Sequence, residues 1–229
     1  ICKKNKVRLN VNTHRSFSPN YQMVKNIFKK FNETPSSIII NSPSAGLGNM
    51  GSTFFDLGFY FFKKKAISVV GWIDKTGTIS PRGKQFVDPG GYGILNFSNN
   101  KKLFFDLSED TGLPYLITIK SKNLEVVIDE INNNFYLKKR PTPLRKKPLF
   151  FYLFKPTVKK LKIKHKFDVI KMTCFTIKNI FKKNHSYENF ENAIATMACI
   201  FATHVSNRKK KIIKLPLNKK YHKFKLNFA

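Results

Sequence analysis

Alternating and continuous apolar runs divide the first third of the chain into short elements. Val7–Asn12 alternates in the manner of a strand, and Ser18 followed by Pro19 is a good start for a helix. That helix carries one apolar stripe, formed by Val24, Ile27, Phe28 and Phe31. Ser37–Asn41 then predicts a short buried strand, and residues 50 to 62 predict a helix that is apolar nearly all round.

From Ala66 the period of the pattern changes to that of strands. Five runs are typical of strands: Ala66–Ile73, Tyr92–Phe97, Leu103–Leu107, Tyr115–Lys120 and Leu124–Asp129. Turn residues at 98–101 and 121–123 separate adjacent runs, so we expect an antiparallel meander. Phe135–Lys138 is a candidate for one more strand.

The last third of the chain predicts two helices, from about Phe167 to Lys182 and from Ser186 to about Val205. We expect both to pack on the sheet, the second through a single face: Phe190, Ile194, Met197, Phe201 and Val205. Ile212–Leu217 predicts a last short strand. The pattern therefore indicates an α+β fold, a largely antiparallel sheet covered on one face by helices, with the other face available to a partner.

The 229 residues carry a net charge of +30, which is very unevenly distributed. Residues 1–65 hold 11 basic and 2 acidic side chains, residues 66–130 hold 7 and 8, and residues 131–229 hold 25 and 3. Two interpretations remain open. The lysine excess, which accompanies abundant Asn, Ile and Phe, matches codons rich in A and T, or it marks a surface that binds polyanions.

Cysteine and histidine spacing excludes the common metal-site signatures. The three cysteines form no CxxC pair, and the five histidines form no HExxH pattern, so no metal site is predicted. No run approaches the roughly 18 apolar residues of a membrane span, and we expect a cytoplasmic protein. The sequence begins with Ile1 rather than Met, so we expect residues upstream of it.

Gly46–Gly51 matches the GxGxxG pattern of dinucleotide-binding turns, and Asp74 ends the next predicted strand. In such sites the strand runs almost directly into the first glycine. Here residues 42–45 intervene, Pro43 among them, and bulky Phe54 and Phe55 follow. The spacing therefore favours a structural turn over a cofactor loop.

The segment from Ser80 to Gly93 is dense in glycine and proline and predicts a loop that forms a site. Arg82 and Asp88 bring opposite charges into it. Two interpretations stay open: the pair binds an anionic substrate through the planar guanidinium, or it forms an internal ion pair that holds the loop.

Several short segments, in this order, resemble the carboxy-terminal part of Gfo/Idh/MocA-type oxidoreductases. They are Val11–Phe17 with its Arg15, Gly51–Asp56, the Pro-Arg-Gly and Asp-Pro-Gly-Gly stretch at 81–91, the paired strands up to Asp129, and the Leu-Pro-Leu ending at 215–217. The resemblance implies three parts. Residues 1–35 are the last strand and helix of a Rossmann-type cofactor domain, and 36–217 form an α+β substrate and oligomerisation domain with a basic, proline-containing excursion at 138–166. Residues 218–229 are a basic tail.

The resemblance also implies an activity, hydride transfer between NAD or NADP and a secondary alcohol of a sugar, nucleotide-sugar or cyclitol. It puts catalytic residues at Asn49 and Thr53, cofactor contacts at His14 and Arg15, and substrate contacts at Arg82 and Asp88. Homo-oligomerisation through the sheet face follows from the same likeness. For His14 the residue pattern itself favours a structural histidine over a cofactor contact, and for Asp56 it favours a structural acid of the helix over a base.

Two departures from the family pattern bear on activity. Thr53 stands where the family places a His or Tyr, and a threonine hydroxyl does not titrate near working pH. The 229 residues also offer no counterpart to the glycine-rich cofactor loop or to the Glu-Lys-Pro lysine. We therefore expect the isolated chain to be a truncated and inactive oxidoreductase.

Two other functions remain open from the sequence. One is an RNA-associated or other nucleic-acid-associated protein that contacts phosphates through the Lys-rich flanks 138–166 and 207–229. The other is a non-catalytic sheet module that dimerises through its uncovered face.

Overall fold

The computed structural model describes residues 4–5, 9–43, 46–75, 78–79, 83, 85–113, 115–148, 155–181, 189–218, 221 and 225–226. Among them, no helix is long and apolar enough to cross a membrane.

The chain enters the described structure without the expected first strand. Leu9–Thr13 have no regular structure, and Val7 and Arg8 lie outside the described residues. Two helices follow, α1 (His14–Phe17) and α2 (Pro19–Lys30). The Ser18 side chain accepts a hydrogen bond from the Asn20 amide, so the predicted N-cap of α2 is confirmed.

A glycine-rich turn leads from the first strand into the most buried helix. The strand β1 (Ser37–Asn41) has the predicted bounds, and Gly46–Gly51, called here the glycine turn, forms a single π-helical turn. It continues into α3 (Ser52–Phe62), in which every residue from Phe54 to Phe62 is buried. The aromatic side chains of α3 pack on the sheet: the Phe55 and Phe105 ring centroids lie 4.8 Å apart.

The sheet has nine strands. Besides β1 they are β2 (Ala66–Ile73), β5 (Gly91–Phe97), β6 (Lys101–Asp106), β7 (Leu116–Lys120), β8 (Leu124–Asp129), β9 (Asn134–Lys139) and the two edge strands β10 (Thr157–Lys160) and β11 (Ile213–Lys214). Their order across the sheet is β10-β9-β8-β7-β1-β6-β5-β2-β11. The predicted strands are thus confirmed, but the prediction that they form one continuous antiparallel meander is wrong. Strand β1 lies between β6 and β7, parallel to β6 and antiparallel to β7, and divides the sheet into two antiparallel halves.

A separate two-stranded ribbon, β3 (Thr78–Ile79) with β4 (Val87–Asp88), closes the segment before β5. In the turn between β5 and β6, Asn99 and Asn100 both have positive φ, 60° and 56°. These φ angles lie in the left-handed region, which asparagine tolerates better than most residues.

Strand residues alternate between a covered face and an open face, which makes the sheet one-sided. On the covered face, Val69, Leu95, Leu103 and their neighbours are fully buried under the helices. On the open face, one register row crosses seven strands: Val70, Ile94, Phe104, Ile39, Thr118, Val127 and Tyr136. These side chains are half-buried, and the stacked Trp72 and Tyr92 beside the row are 41% and 46% exposed.

The basic excursion at 138–166 contains more regular structure than we expected. Strand β10 (Thr157–Lys160) pairs with β9 and forms one edge of the sheet, and a short 3-10 turn occupies Thr142–Leu144. The edge strand is fully exposed and carries two lysines, a common protection against edge-to-edge association.

The two carboxy-terminal helices differ from each other in what they pack against. The helix α4 (Val169–Ile180) packs mainly against α1, so the expectation that it lies on the sheet is wrong. The helix α5 (Asn189–Lys209) packs on β2 and α3, and β11 (Ile213–Lys214), shorter than predicted, completes the sheet beside β2.

The face that α5 buries is mostly not the predicted one. Phe190, Ile194 and Met197 are 43%, 55% and 37% exposed, whereas smaller side chains point inward: Thr196, Cys199, Ala202, Thr203 and Ser206. Helix and strand approach each other closely at Gly71, where a Cβ would lie 2.6 Å from the Thr203 methyl group. Large side chains do not fit such an approach, and the helix therefore turns them outward.

Candidate active site at the glycine turn

The glycine turn is held from outside by the carboxylate of Asp88. One Asp88 oxygen accepts a hydrogen bond from the Gly48 amide and the other from the Asn49 amide, both at 2.7 Å. Asp88 is 8% exposed, and burial raises its pKa while the two amide bonds oppose that shift. The carboxylate thus accepts hydrogen bonds from two amides of the turn that leads into α3, where a helix start attracts negative charge.

The first glycine of the turn leaves the space that Asp88 needs. Gly46 has φ +80°, and a Cβ built there would lie 2.1 Å from an Asp88 carboxylate oxygen. Both the backbone and the packing therefore require glycine at this position.

A second, fully buried cluster lies beneath the turn and centres on Arg15. Its Nε and Nη2 donate to the carboxylate of Glu130, with Nη2 at 2.7 Å, and the Tyr21 hydroxyl donates to the same carboxylate at 2.7 Å. The side chains of Arg15 and Glu130 are each 1% exposed. The buried charges are therefore paired and hydrogen-bonded, as burial of ions requires.

Arg15 also joins the two segments that the sequence singled out. Its Nη1 donates to the Thr53 hydroxyl at 2.5 Å, and its guanidinium lies 4.2 Å from the centroid of the Phe54 ring. Thr53 in turn donates to the Met50 carbonyl at 2.9 Å. Both hydrogen-bonding capacities of this hydroxyl are thus used inside the protein.

The electrostatics of the cluster follow from burial and from the ion pair. Burial opposes the charge of Arg15, but Glu130 outweighs it and the net effect raises the pKa of Arg15. Burial, and then Glu130, raise the pKa of Tyr21 well above its ordinary value. Burial, together with the neighbouring Arg15, lowers the pKa of His14 to about 3, so this imidazole is neutral near pH 7.

Five of the six predicted site residues lie along connected contacts. Arg15 bonds Thr53, Asp88 bonds the Asn49 amide, and His14 precedes Arg15 in α1. The Asn49 side chain is exposed, and the Nε2 atom of the buried His14 has no hydrogen-bond partner among the described residues. Arg82 lies outside the described residues, so its pairing with Asp88 stays a prediction.

An acidic rim adjoins the turn. Asp74 accepts a hydrogen bond from the Glu109 amide at 2.8 Å, and its own amide donates to the Gly90 carbonyl. Burial raises the pKa of Asp74, and the nearby Glu109, Asp110 and Asp106 add to that increase. Within the described residues no three His, Cys, Asp or Glu side chains come together as a metal site.

The sequence did not reveal three members of the cluster. Glu130 is its anion, Tyr21 donates its hydroxyl to that carboxylate, and Ser16 donates a short hydrogen bond to the fully buried Asp56. The only sequence signal was positional. Glu130 directly follows β8, which stops at the same end of the sheet as β1, and Ser16 is next to Arg15 in the sequence.

The described residues fit a dinucleotide poorly at the glycine turn. The Gly48 and Asn49 amides, which such a turn would offer to a pyrophosphate, are occupied by a carboxylate. Arg15 is likewise committed to Glu130 and Thr53. The exposed side chain of Asn49 suits a ligand from outside, whereas the Nε2 atom of His14, which has no partner among the described residues, is buried.

Comparison with known proteins places the fold. No family model and no curated protein matches the sequence significantly, but solved structures match almost the whole chain. An NAD-binding oxidoreductase from Klebsiella pneumoniae superposes with a TM-score of 0.72 at 10% identity, over 95% of this chain and 68% of its own.

Two further structures show the same relationship. Levoglucosan dehydrogenase in complex with NADH and levoglucosan matches with a TM-score of 0.69 at 9% identity, over 93% of this chain and 68% of its own. A super-repressor mutant of Gal80p from Saccharomyces cerevisiae matches with 0.66 at 11% identity, over 93% of this chain and 66% of its own. These likenesses confirm the resemblance inferred from the motifs at the level of fold. The chain therefore has the fold that Gfo/Idh/MocA-type NAD-binding oxidoreductases share, over about two thirds of their length.

Proposed function

We propose that these 229 residues are the substrate-binding and oligomerisation part of an NAD- or NADP-dependent oxidoreductase that acts on a sugar or cyclitol. The observation that carries the proposal is the Arg15–Thr53 hydrogen bond. It joins α1 to the start of α3, and the family resemblance puts cofactor contacts in the first of these segments and a catalytic residue in the second. Asn49 and Asp88 border the same junction.

The proposed roles follow from what each side chain has left to offer. Asn49 is exposed and carries both an amide donor and a carbonyl acceptor, which suits a sugar hydroxyl. Thr53 fixes the turn through Arg15 and Met50 and is a positioning residue. His14 is neutral, and its buried Nε2 has no hydrogen-bond partner among the described residues.

Oxidation of a secondary alcohol needs a base for the hydroxyl proton and an acceptor for the hydride. The nicotinamide would supply the acceptor when bound. Thr53 is not the base, because its hydroxyl proton is donated to Met50 and its pKa is far from neutral. We propose that the base and the dinucleotide contacts come from residues outside these 229, and that this chain alone is inactive.

The open face of the sheet is the proposed surface for self-association. Its register row, called here the apolar row although Thr118 interrupts it, extends across seven strands, and Trp72 and Tyr92 stack beside it with an interplanar angle of 14°. Apolar side chains in a continuous row on an uncovered sheet favour burial against an identical face. We propose a homodimer through this face in a cytoplasmic protein.

The test measures the binding of a panel of aldoses and cyclitols to the full 229-residue chain by ligand-observed NMR. We expect at least one to bind, and Asn49→Ala to weaken it about tenfold or more by removing two hydrogen-bonding groups. Asn99→Gly, which keeps the positive φ of an exposed hairpin turn, is the matched control and leaves binding unchanged. Binding that ignores Asn49→Ala, or no binding at all, contradicts the proposed site.

The cofactor part of the proposal has its own measurement. Quenching of the single Trp72 by NADH reports binding to the chain alone. We expect no saturable quenching below millimolar NADH. Tight, saturable binding would show that these residues hold the dinucleotide themselves.

A further inference from the structure

The two ends of the sheet carry opposite charge. The end at which β1 stops also holds the ends of β2, β6 and β8, with five carboxylates: Asp74, Asp88, Asp106, Asp129 and Glu130. The end at which β1 starts holds lysines from four different connections, at 63–65, 101–102, 120 and 122, and 138–139. A compositional excess of lysine would not by itself place charge at one end.

Folding brings lysines that are distant in sequence close together at this basic end. Lys25 on α2 lies near Lys63 at the end of α3, and burial, together with Lys63, lowers the pKa of Lys25 to about 8. The Lys25 ammonium lies 3.8 Å from the centroid of the Tyr60 ring. Burial and the nearby Lys64 likewise lower the pKa of Lys101. Repulsion of this kind costs free energy, and a bound anion would offset it.

Lys25 and Lys63 line a groove of about 570 Å³ between α2 and the end of α3. Its cationic side chains are Lys25, Lys29 and Lys63, and Glu33 is its carboxylate. Lys63 continues into a second groove of about 680 Å³, which Lys64 and Lys65 line beside the first turns of α5. The two grooves thus share a lysine and form one path.

A third groove, of about 590 Å³, lies on the other side of the first, where β7, β8 and β9 meet. It holds Lys120, Lys122, Lys138, Lys139 and Arg140 against a single carboxylate, Glu125. Two contacts link it to α2: Asn123 donates to Glu33 at 2.6 Å, and the Lys139 ammonium lies 5.3 Å from the centroid of the Phe31 ring.

We propose that the three grooves form one track for a single-stranded nucleic acid, RNA in the first instance. Together they are lined by nine lysines and the buried Arg140 against three carboxylates, of which Glu125 already pairs with Lys120 and Lys138. A flexible chain of phosphates can follow a concave path of this length and neutralise each group of lysines in turn. The track is separate from the glycine turn, because Thr53 and Lys63 stand ten residues apart on one helix, about 15 Å.

The shape of the surface favours nucleic acid over a lipid bilayer. A flat anionic membrane meets the rim of a groove but does not reach a half-buried ammonium such as that of Lys25. Arginine is scarce here, with Arg140 alone among the ten cations, so recognition is of backbone phosphate rather than of bases. We therefore expect little dependence on nucleotide sequence.

The experiment is fluorescence anisotropy of a labelled 20-nucleotide poly(U) strand with the full chain at 50 to 300 mM KCl. We expect the logarithm of the affinity to fall linearly with the logarithm of salt concentration. The triple variant Lys25→Gln, Lys29→Gln, Lys63→Gln should lose affinity about tenfold or more at 50 mM KCl, and the slope should decrease by about 2.

A charge-matched control separates the track from total charge. Lys4→Gln, Lys75→Gln, Lys178→Gln removes the same three charges at exposed positions that do not line the grooves. We expect this variant to bind the strand within about twofold of the parent. Equal loss in both variants overturns the track, and so does binding to phosphatidylserine vesicles without binding to the strand. Circular dichroism verifies that both variants are folded.

Discussion

The Arg15 Nη1 atom lies 2.5 Å from the Thr53 hydroxyl oxygen, and the Nε and Nη2 atoms of the same guanidinium donate to the Glu130 carboxylate. Arg15 is fully buried and is therefore not a surface group that waits for a ligand. It connects α1, the start of α3 and the end of β8 through one side chain. The candidate site thus rests on a buried ion pair, and its integrity depends on that pair.

Glu130→Ala should strongly destabilise the protein. The variant leaves the Arg15 charge and the Tyr21 hydroxyl buried without their acceptor, which costs about 3–5 kcal/mol of unfolding free energy. Urea denaturation followed by circular dichroism measures the loss. Glu125→Ala is the matched control, since Glu125 pairs with Lys120 and Lys138 at a partly exposed site and should cost about 1 kcal/mol or less. Equal effects would contradict the structural role given to Arg15 and Glu130.

Gly46→Ala should lower the unfolding free energy by about 1–3 kcal/mol. Alanine is strained at φ +80°, and its methyl group would displace the Asp88 carboxylate from the Gly48 and Asn49 amides. Hydrogen exchange at these two amides should accelerate in the variant. Gly112→Ala is the control, because nothing lies within 4 Å of the Cβ built there. A stable Gly46→Ala variant with protected amides would show that Asp88 does not hold the turn.

Stability should fall as the pH is lowered from about 6.5 towards 3, in part through His14. The folded protein keeps His14 neutral down to about pH 3, whereas the unfolded chain takes up this proton near pH 6.5. The unfolded state therefore binds more protons across this window, and acid favours it.

The His14→Gln variant should show a smaller change in urea midpoint between pH 7 and pH 4 than the parent. Part of the pH dependence should remain, because burial also lowers the pKa of His204 to about 4. An unchanged difference between the two pH values would contradict the burial of His14 in solution.

Phe104→Lys should convert a dimer into a monomer in sedimentation experiments. Phe104 occupies the middle of the apolar row, and a charge there cannot be buried against an identical face without a partner. Ile170→Lys, at a position on α4 that is 78% exposed, is the control and should leave the oligomeric state unchanged. A parent chain that sediments as a monomer at all concentrations would contradict the proposed interface.

Local patterns predicted the strands well, because the period of two and the asparagine turns depend only on neighbouring residues. Three strands have the expected bounds: Ser37–Asn41, Ala66–Ile73 and Leu124–Asp129. The position of β1 between β6 and β7 is a long-range property that no local pattern contains. The prediction of the face that α5 buries was wrong for a similar reason, because Gly71, on a strand distant in sequence, sets how closely the helix approaches the sheet.

The candidate site was predictable only in part. Asn49, Thr53, His14, Arg15 and Asp88 were singled out because their segments resemble a known arrangement, and folding connects them. Glu130 and Tyr21 were not, because a buried acid looks like any other acid in sequence until its partner is placed beside it. The interior pair, rather than the exposed loop, is what sequence reasoning missed.

The central position of β1 also has a kinetic consequence. The hairpins β5–β6 and β7–β8–β9 join strands that are close in sequence, but β1 must pair with residues more than 60 positions away. Loop closure of that length costs entropy before any contact repays it, so the two half-sheets should form early and their union should limit the folding rate. Until that step, each half exposes an unpaired strand edge, and aggregation at this stage competes with productive folding.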